Sequence, residues 1–366
     1  MLVSNQRQPV ISSVIATVVG LTAAARGDGA PPAVYAAQVL NAPSASQTWA
    51  NDVNNFDVMV GQFEGGGTKR AYAWTPAKGF ATLKPGTVDT MSSALAINDC
   101  GQIAGWSGTL SDGYGHSVLW RKDGSIRSLP ELGGPGSAAD DINEKGHVVG
   151  GSQLPVDTSS GNFYYHAYYW SSAGGIIDLG TLGGHNSDAQ GINNQDQVVG
   201  YSEVASGARH AFFWSFSTGM IDMGPAEFST RQGYDINDPG KAVGTATLTT
   251  SRAFSWTVPV GISLLSNVGS QSSAYGINKS GQMVGEGRDS ANTHRAIAWT
   301  AGGAGFILDP TTGTASVARK ISDNGTVVGD ATVKVNLVPK SRAVAWTPVP
   351  ATSHPTPPEM AYCTPL

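Results

Sequence analysis

Charged residues are scarce in this chain, and those present do not suit a nucleic-acid partner. They make up 13% of the 366 residues, with 22 Lys and Arg against 27 Asp and Glu, which gives a net charge of −5. Nucleic-acid binding needs a basic patch or stripe to contact phosphates. We therefore expect no nucleic-acid partner.

Cysteine is nearly absent, and the familiar catalytic and metal-binding motifs are missing. Cys100 and Cys363 are the two cysteines, so there is neither a disulfide framework nor a cysteine-based metal site. The sequence also lacks the D-x-D-x-D-G calcium loop, G-x-S-x-G, H-E-x-x-H and the phosphate-binding P-loop. As the leading interpretation, we expect a protein that binds no metal and no cofactor and is not an enzyme.

Long apolar runs are missing except near the N-terminus. Residues 10–25 are apolar or small and end in Ala23-Ala24-Ala25 before Arg26. This pattern predicts a secretory signal peptide at 1–25 followed by a flexible leader at 26–32. The run is short for a membrane-spanning helix, and a retained N-terminal anchor is the alternative. Membrane contact is expected only through residues 1–25, if these are not cleaved.

Glycine is abundant, and a unit of 41–50 residues recurs seven times. Each unit has an asparagine (once serine), a glycine seven residues later and a closing tryptophan. The first of these positions are Asn54, Asn98, Asn143, Asn193, Asn237, Asn278 and Ser322. The glycines are Gly61, Gly105, Gly150, Gly200, Gly244, Gly285 and Gly329. The tryptophans are Trp74, Trp120, Trp170, Trp214, Trp256, Trp299 and Trp346.

Each unit reads as four short strands, here followed in the fourth copy. Strands are expected at 187–192, 197–202, 210–214 and 220–223, with a tight turn after Asn193 whose fourth residue needs a positive φ. The second strand is apolar without alternation, which indicates burial on both faces. In the third strand a small residue faces one side and a large residue the other, as stacked identical sheets require.

The fold class that follows is all-β, a seven-bladed β-propeller spanning residues 33–347. The seventh unit has no fourth strand because prolines follow Trp346. A spare strand at 33–40 precedes the first unit, and we expect it to complete the last blade and close the ring. Residues 348–366 are expected to form a Pro-rich C-terminal tail.

The antiparallel order of the strands assigns each loop to one of two faces. We call the face with the strand one–two and three–four turns the lower face, and the opposite one the upper face. The upper loops hold the length variation, so the upper face is the candidate binding face.

The fourth unit resembles a known repeat family. The matching residues are Asp178-Leu179-Gly180-Thr181-Leu182-Gly183-Gly184, Ile192-Asn193, Val198-Val199-Gly200 and His210-Ala211-Phe212. They are similar to the HAF-repeat family of bacterial extracellular proteins, and the likeness extends over about 47–347. The resemblance implies an exported protein, at the cell surface or outside the cell, and carries no established activity with it.

Two sets of residues are candidates for binding. Upper-loop groups suited to a sugar or a protein partner are Trp106, Tyr114, Tyr164, Tyr165, His185, Arg209 and the aromatic Phe228. A basic residue stands four before each tryptophan, at Arg70, His116, His166, His210, Arg252, Arg295 and Arg342. This basic ring could bind an anionic ligand. The preferred interpretation is structural, with each side chain orienting the next blade through backbone carbonyls.

Three functions remain open at this point. The leading one is an exported, non-enzymatic scaffold that binds a carbohydrate or a protein through its upper loops. The second is a structural subunit of a surface, membrane or virion assembly, or of a periplasmic one, with the N-terminus retained. The third is a polysaccharide lyase or hydrolase, for which the cluster Tyr164, Tyr165, His166, His185 and Arg209 is the best candidate. Carboxylates of the upper loops are scattered, and their spacing shows no pair.

Intact mass spectrometry of the exported, non-reduced protein tests both terminal hypotheses. We expect a chain that begins at Arg26 and gains the mass of two hydrogens on reduction, because Cys100 and Cys363 can pair in an oxidising compartment. A chain that keeps Met1 would favour the anchored assembly component. Two free thiols in the non-reduced protein would rule out the disulfide.

Overall fold

Seven four-stranded antiparallel sheets make up the part of the chain that the computed structural model describes. This part is residues 34–349 without 43, 110, 112, 113, 225–227 and 309–314. The expected segments 1–25 and 26–32 and most of the expected tail lie outside it. The sheets are the blades of a β-propeller, as the repeats predict, and the predicted fold class is confirmed.

The blades follow one another along the chain, and strand one of each lies innermost. The first strand is β1 (Val34–Leu40), and blades one to three are β2 (Gln47–Val53), β3 (Met59–Gly65), β4 (Thr68–Thr75), β5 (Gly79–Thr82); β6 (Met91–Ile97), β7 (Ile103–Gly108), β8 (Gly115–Trp120), β9 (Ile126–Ser128); and β10 (Ser137–Ile142), β11 (Val148–Gln153), β12 (Tyr165–Ser171), β13 (Gly175–Asp178).

Blades four to seven repeat the same order. They are β14 (Gly183–Ile192), β15 (Val198–Val204), β16 (Arg209–Ser215), β17 (Gly219–Asp222); β18 (Thr230–Ile236), β19 (Ala242–Thr247), β20 (Ser251–Thr257), β21 (Gly261–Leu264); β22 (Ser272–Ile277), β23 (Met283–Arg288), β24 (His294–Trp299), β25 (Gly305–Ile307); and β26 (Ala315–Ile321), β27 (Val327–Val335), β28 (Val338–Val349).

The ring closes through the N-terminal strand. Strand β1 pairs antiparallel with β28 in the order β1-β28-β27-β26, so it is the fourth strand of blade seven. The pairing runs to Val34 opposite Val349. Strand β28 therefore extends two residues beyond the expected boundary at 347, because β1 offers it a partner to that point.

The hydrophobic core is divided into layers between neighbouring blades. In one layer Ala167 and Tyr169 of blade three pack with Phe212 and Trp214 of blade four. Successive side chains of a strand point to opposite faces, so Phe213, between Phe212 and Trp214, packs against blade five instead. The predicted small and large faces of the third strand thus meet in each layer.

The repeated glycine marks a close approach between the first two strands of each blade. In blade four the register shifts between Ala189 and Gly191, which is a β-bulge in β14. A Cβ at Gly200 would lie 2.9 Å from the Cα of Ala189. The turns also have the expected geometry, since Asp196 has a φ of 59° and the glycines at the equivalent place in other blades are positive as well.

The repeated asparagines form a ring of hydrogen bonds at the lower face. Each Nδ2 donates to the backbone oxygen of the equivalent residue in the next blade, at 3.0–3.2 Å. The donor-to-acceptor pairs are Asn54 to Asn98, Asn98 to Asn143, Asn143 to Asn193, Asn193 to Asn237, Asn237 to Asn278 and Asn278 to Ser322. Ser322 cannot make this bond, and Asn324 Nδ2 instead reaches the Asn55 oxygen at 3.3 Å. The repeat residue thus links blades as well as capping its own turn.

A second set of bonds joins the blades one level higher. A hydroxyl near the start of strand one accepts the N–H of the small residue in the third strand of the preceding blade, at 2.8–3.0 Å. The hydroxyls belong to Thr48, Ser92, Ser137, Ser187, Ser272 and Ser316. Blade five has Arg231 at this place, and its buried guanidinium pairs with Asp222 at 3.0 Å.

Substitution of Asn193 by Ala tests the asparagine ring. The change leaves the buried Asn237 carbonyl and the N–H groups of Gln195 and Gln197 without their partner. We expect the free energy of unfolding to fall by about 2–3 kcal/mol in urea titrations. Gln195→Ala alters an exposed side chain of the same turn and should change it by less than about 0.5 kcal/mol. Equal effects of the two substitutions would contradict the role of the ring.

A candidate ligand site on the upper face

A cavity of about 530 Å³ opens on the upper face at blades two, three and four. Trp106 and Tyr114 of blade two, Tyr165 of blade three and Tyr201 of blade four line it. The rings come from three blades, yet they surround one space. A cavity of this size with aromatic walls is typical of sites for small molecules.

The cavity exists because blade three has small residues where other blades have large ones. Gly151 follows the repeat glycine and lines the cavity; the same position in blade seven holds Asp330, which pairs with Arg319 at 2.8 Å. Between blades five and six the rings of Tyr234 and Tyr275 contact each other, with centroids 4.9 Å apart. The space is therefore open on one side of the propeller axis and occupied on the other.

Two carboxyl groups converge on Gly151 at the base of the cavity. A Cβ at Gly151 would lie 2.6 Å from Oδ1 of Asp188, and the Gly151 N–H is near enough to the Asp140 carboxyl to lower its pKa. Asp188 Oδ2 accepts a bond of 2.8 Å from Gln190. Asp188 Oδ1 is buried and has no hydrogen-bond partner among the described residues. Only a glycine leaves room for both carboxyls here.

Burial raises the pKa values of both carboxyl groups. The pKa of Asp188 is raised to about 7 by burial, against the opposing effects of Gln190 and Arg209. Burial raises the pKa of Asp140 well above its ordinary value, and the nearby charge of Asp188 raises it further. Because the negative charge of each carboxylate opposes ionisation of the other, burial and this mutual repulsion both favour the protonated form at this site.

Sequence reasoning from the upper loops missed this pair. Asp140 and Asp188 lie in the first strands of blades three and four rather than in loops. Their proximity depends on Gly151, which lies in β11, the second strand of blade three. One signal is visible in the sequence afterwards. Asp188 follows the repeat Ser187 at a position that varies among the units, so it is not part of the repeated framework.

The predicted ligand residues lie together on blades two to four. Trp106, Tyr114 and Tyr165 line the cavity. Tyr164 and His185 stack on each other beside it, with centroids 4.5 Å apart and an angle of 14°.

Two further candidates differ in position. Arg209 lies over the ring of Tyr201, 4.6 Å from its centroid. Tyr201 lines the cavity, so Arg209 contacts a residue of the cavity wall without lining the cavity itself. Phe228 is 6% exposed and packs in the layer between blades four and five. It is therefore a core residue and does not line the cavity.

Members of the basic ring contact the links between blades or the nearby upper loops. The contacts are His116 with Glu131, His166 with Asp178, His210 with Asp222, Arg252 with the Leu265 carbonyl, Arg295 with Asp289 and Arg342 with the Ser46 carbonyl, at 2.6–3.2 Å. Each contact lies in its own blade or at its own junction. These side chains, with Arg70 at the same position of β4, are spread around the propeller and do not meet at one site. His166 therefore pairs with Asp178, whereas its neighbour Tyr165 lines the cavity.

Below the cavity, an ammonium group lies among carboxylates near the axis. Residues two before the repeat asparagine alternate between charged and small around the ring: Asp52, Ala96, Asp141, Gly191, Asp235, Gly276 and Lys320. Lys320 Nζ lies 3.0 Å from Asp235 and 4.0 Å from Asp141. The three carboxylates also accept N–H bonds of 2.8–2.9 Å from the blade that follows next. Lys320 thus supplies the counter-charge that Asp52, Asp141 and Asp235 need.

The remaining expectations concern cysteine pairing, metal binding and membrane-spanning segments. Cys100 lies in a lower turn of blade two, whereas Cys363 is outside the described residues, so their pairing stays a prediction. Within the described ranges there is no group of three or more His, Cys, Asp or Glu that could hold a metal ion. The same part of the chain has no helix long and apolar enough to span a membrane.

Comparison with known proteins identifies the fold and no family. No protein-family model matches the chain, and no curated protein matches it. A streptogramin B lyase structure is similar at 10% identity, over 86% of this chain and 98% of that chain, with a TM-score of 0.58. The virginiamycin B lyase of Staphylococcus aureus matches at 10% identity over 86% and 99%, with a TM-score of 0.56.

A puromycin hydrolase is similar over only part of its length. The match has 10% identity and a TM-score of 0.58, and it covers 89% of this chain and 57% of the hydrolase. Identities this low establish the propeller fold and carry no activity to this chain.

Replacement of Lys320 by Met tests the axial cluster through pH. Burial, against the opposing charge of Lys320, raises the pKa of Asp52 to about 7 and that of Asp141 to about 6. The folded state therefore binds more protons than the unfolded state between about pH 4 and 7, and these carboxyls stabilise it less as pH rises. Without the ammonium, we expect a loss of about 3–5 kcal/mol at pH 7.5 and a smaller loss at pH 5.

The exposed Lys334 of the same blade provides the control. Lys334→Met should leave the free energy of unfolding within about 0.5 kcal/mol of the parent at both pH values. Urea titrations at pH 5 and 7.5 give the comparison. A Lys320→Met deficit that does not grow with pH would refute the cluster as described.

Proposed function

We propose that this chain is an exported binding module that holds a carbohydrate in the upper-face cavity. The observation that carries the proposal is that aromatic rings of three blades and a pair of carboxyl groups face one open space. Aromatic faces accept the apolar side of a sugar ring, and carboxyl oxygens accept its hydroxyl hydrogens. The chain's repeated residues take part in linking blades, whereas most of the cavity residues lie outside the repeat pattern.

The shape of the site favours a small or terminal ligand group over a flat protein surface. The cavity is concave, and its volume of about 530 Å³ falls in the range for small-molecule sites. Asp140 and Asp188 give the base a negative potential, which opposes acidic sugars.

Export is proposed on the resemblance to the HAF-repeat family. The match at Asp178-Leu179-Gly180 and the N-terminal residues 1–25 both support it. A structural subunit with a retained N-terminus stays the alternative. The lyase cluster gains no support, because His166 is bound to Asp178 at 2.8 Å while Tyr165 faces the cavity.

Trp106→Ala tests the proposed site. Glycan-array screening of the parent should find a sugar ligand, and calorimetry with that ligand should show an affinity loss of about tenfold or more, since a stacked aromatic ring contributes about 1–3 kcal/mol. The fold should persist in circular dichroism, because the side chain lies at the cavity wall.

Phe216 offers a matched control. Its ring is 63% exposed and packs against Trp214 and Tyr169 away from the cavity. Phe216→Ala should leave sugar affinity unchanged. Should the parent bind no glycan, or should both substitutions reduce affinity equally, the proposed site is wrong.

A further inference from the structure

We infer that the cavity recognises a sugar with a free, protonated amine, whose ammonium group is held by Asp140 and Asp188. The inference rests on the proposed function and names the class of ligand. It follows from unpartnered acceptors at the cavity, from carboxyls that form no ion pair among the described residues and from the aromatic walls.

Two buried acceptors at the site have no donor in the described part of the protein. One is Oδ1 of Asp188. The other is Oε1 of Gln153, a side chain that is 3% exposed and whose Nε2 donates to the Tyr165 hydroxyl at 2.7 Å. This Oε1 lies 3.2 Å from where a Cβ of Gly136 would stand, and Gly136 lines the cavity. Buried acceptors are normally satisfied, and because these two lie at a cavity that a ligand can fill, we assign their donors to the ligand.

The axial cluster shows how this protein satisfies buried carboxylates when no ligand is involved. There, Lys320 supplies the ammonium at 3.0 Å from Asp235. At the cavity, the cation that acts on Asp188 is Arg209, and its guanidinium lies over the Tyr201 ring. Neither carboxyl is in an ion pair with a cation among the described residues, and a ligand ammonium can supply that partner.

The walls suit an ammonium group attached to a ring. Trp106, Tyr114 and Tyr165 present aromatic surface to the same space as the carboxyls. Aromatic faces attract cations as well as the C–H groups of a sugar ring. A neutral sugar would satisfy the walls and leave the carboxyl pair without a counter-charge in contact, whereas an amino sugar satisfies both.

Binding should release protons below neutral pH, because a positive charge beside the carboxyls lowers their raised pKa values. The titratable and charged groups around the pair are Asp141 on the same strand, Tyr165 and Tyr168 on β12, Tyr201 on β15 and Arg209 on β16. The tyrosines stay neutral below their raised pKa values. The protons released therefore come from Asp140 and Asp188.

The test is calorimetry of the full chain with two matched sugars, a β-1,4-linked glucosamine tetramer and its fully N-acetylated form. We expect the free-amine tetramer to bind about tenfold or more tightly at pH 6, where most of its amines are protonated, and to release protons from the protein, measured in buffers of different ionisation enthalpy. Its affinity should rise from pH 5 to pH 6, while that of the acetylated form stays constant. Ethanolamine, tested alone, distinguishes a site for any amine from one that needs the sugar ring.

The variants make the assignment specific. Asp188→Asn should reduce affinity for the free-amine tetramer about 30-fold or more and abolish its advantage over the acetylated form. Asp123→Asn removes the same charge from an exposed lower turn and should leave both affinities unchanged. Equal binding of the two tetramers, or insensitivity to Asp188→Asn, would overturn the amine inference and leave sugar binding intact. Binding of neither tetramer, nor of any array glycan, would instead overturn the proposed function.

Discussion

The fold depends on a hydrogen bond that reaches from each blade to the next. An asparagine amide at the lower turn caps its own hairpin and also donates to the backbone of the following blade, as Asn193 does to Asn237. Such a bond has to be made at every junction of a closed ring, because an unpaired buried carbonyl is costly. Where Ser322 interrupts the series, Asn324 of the same turn makes the link to Asn55. The closing strand β1 completes the ring at its outer edge.

This constraint separates residues that hold the ring together from residues that are free to differ. The ring asparagines and the strand-one hydroxyls bond to equivalent groups in nearly every blade, and the tryptophans pack in equivalent layers. The residue after the repeat glycine varies, from Gly151 in blade three to Asp330 in blade seven. At one level the variation places Lys320 among three carboxylates. At the upper level it leaves a cavity with two carboxyls, and there the counter-charge is proposed to come from a ligand.

The sequence predicted the blades, the turns and the closure because each depends on local chemistry that repeats. Asn193 and Gly200 mark a turn and a bulge. The spare strand before the first unit has one place to pair, beside the seventh blade, which lacks a fourth strand of its own. The carboxyl pair was not predictable in the same way. Asp140 and Asp188 are 48 positions apart in the sequence, and their meeting depends on the lack of a side chain at Gly151. Phe228 was misjudged for a related reason, since its ring packs in the layer between blades four and five.

The central claim is that repeated positions hold the fold while unrepeated ones bind the ligand, and two neighbouring residues test it directly. Tyr165 lines the cavity, and His166 belongs to the repeated basic position and pairs with Asp178. Unfolding free energy and sugar affinity would be measured for Tyr165→Ala and His166→Ala. The account predicts that the first loses affinity and keeps its stability, while the second loses stability and keeps its affinity. The reverse pattern, or two variants that lose both properties together, would contradict it.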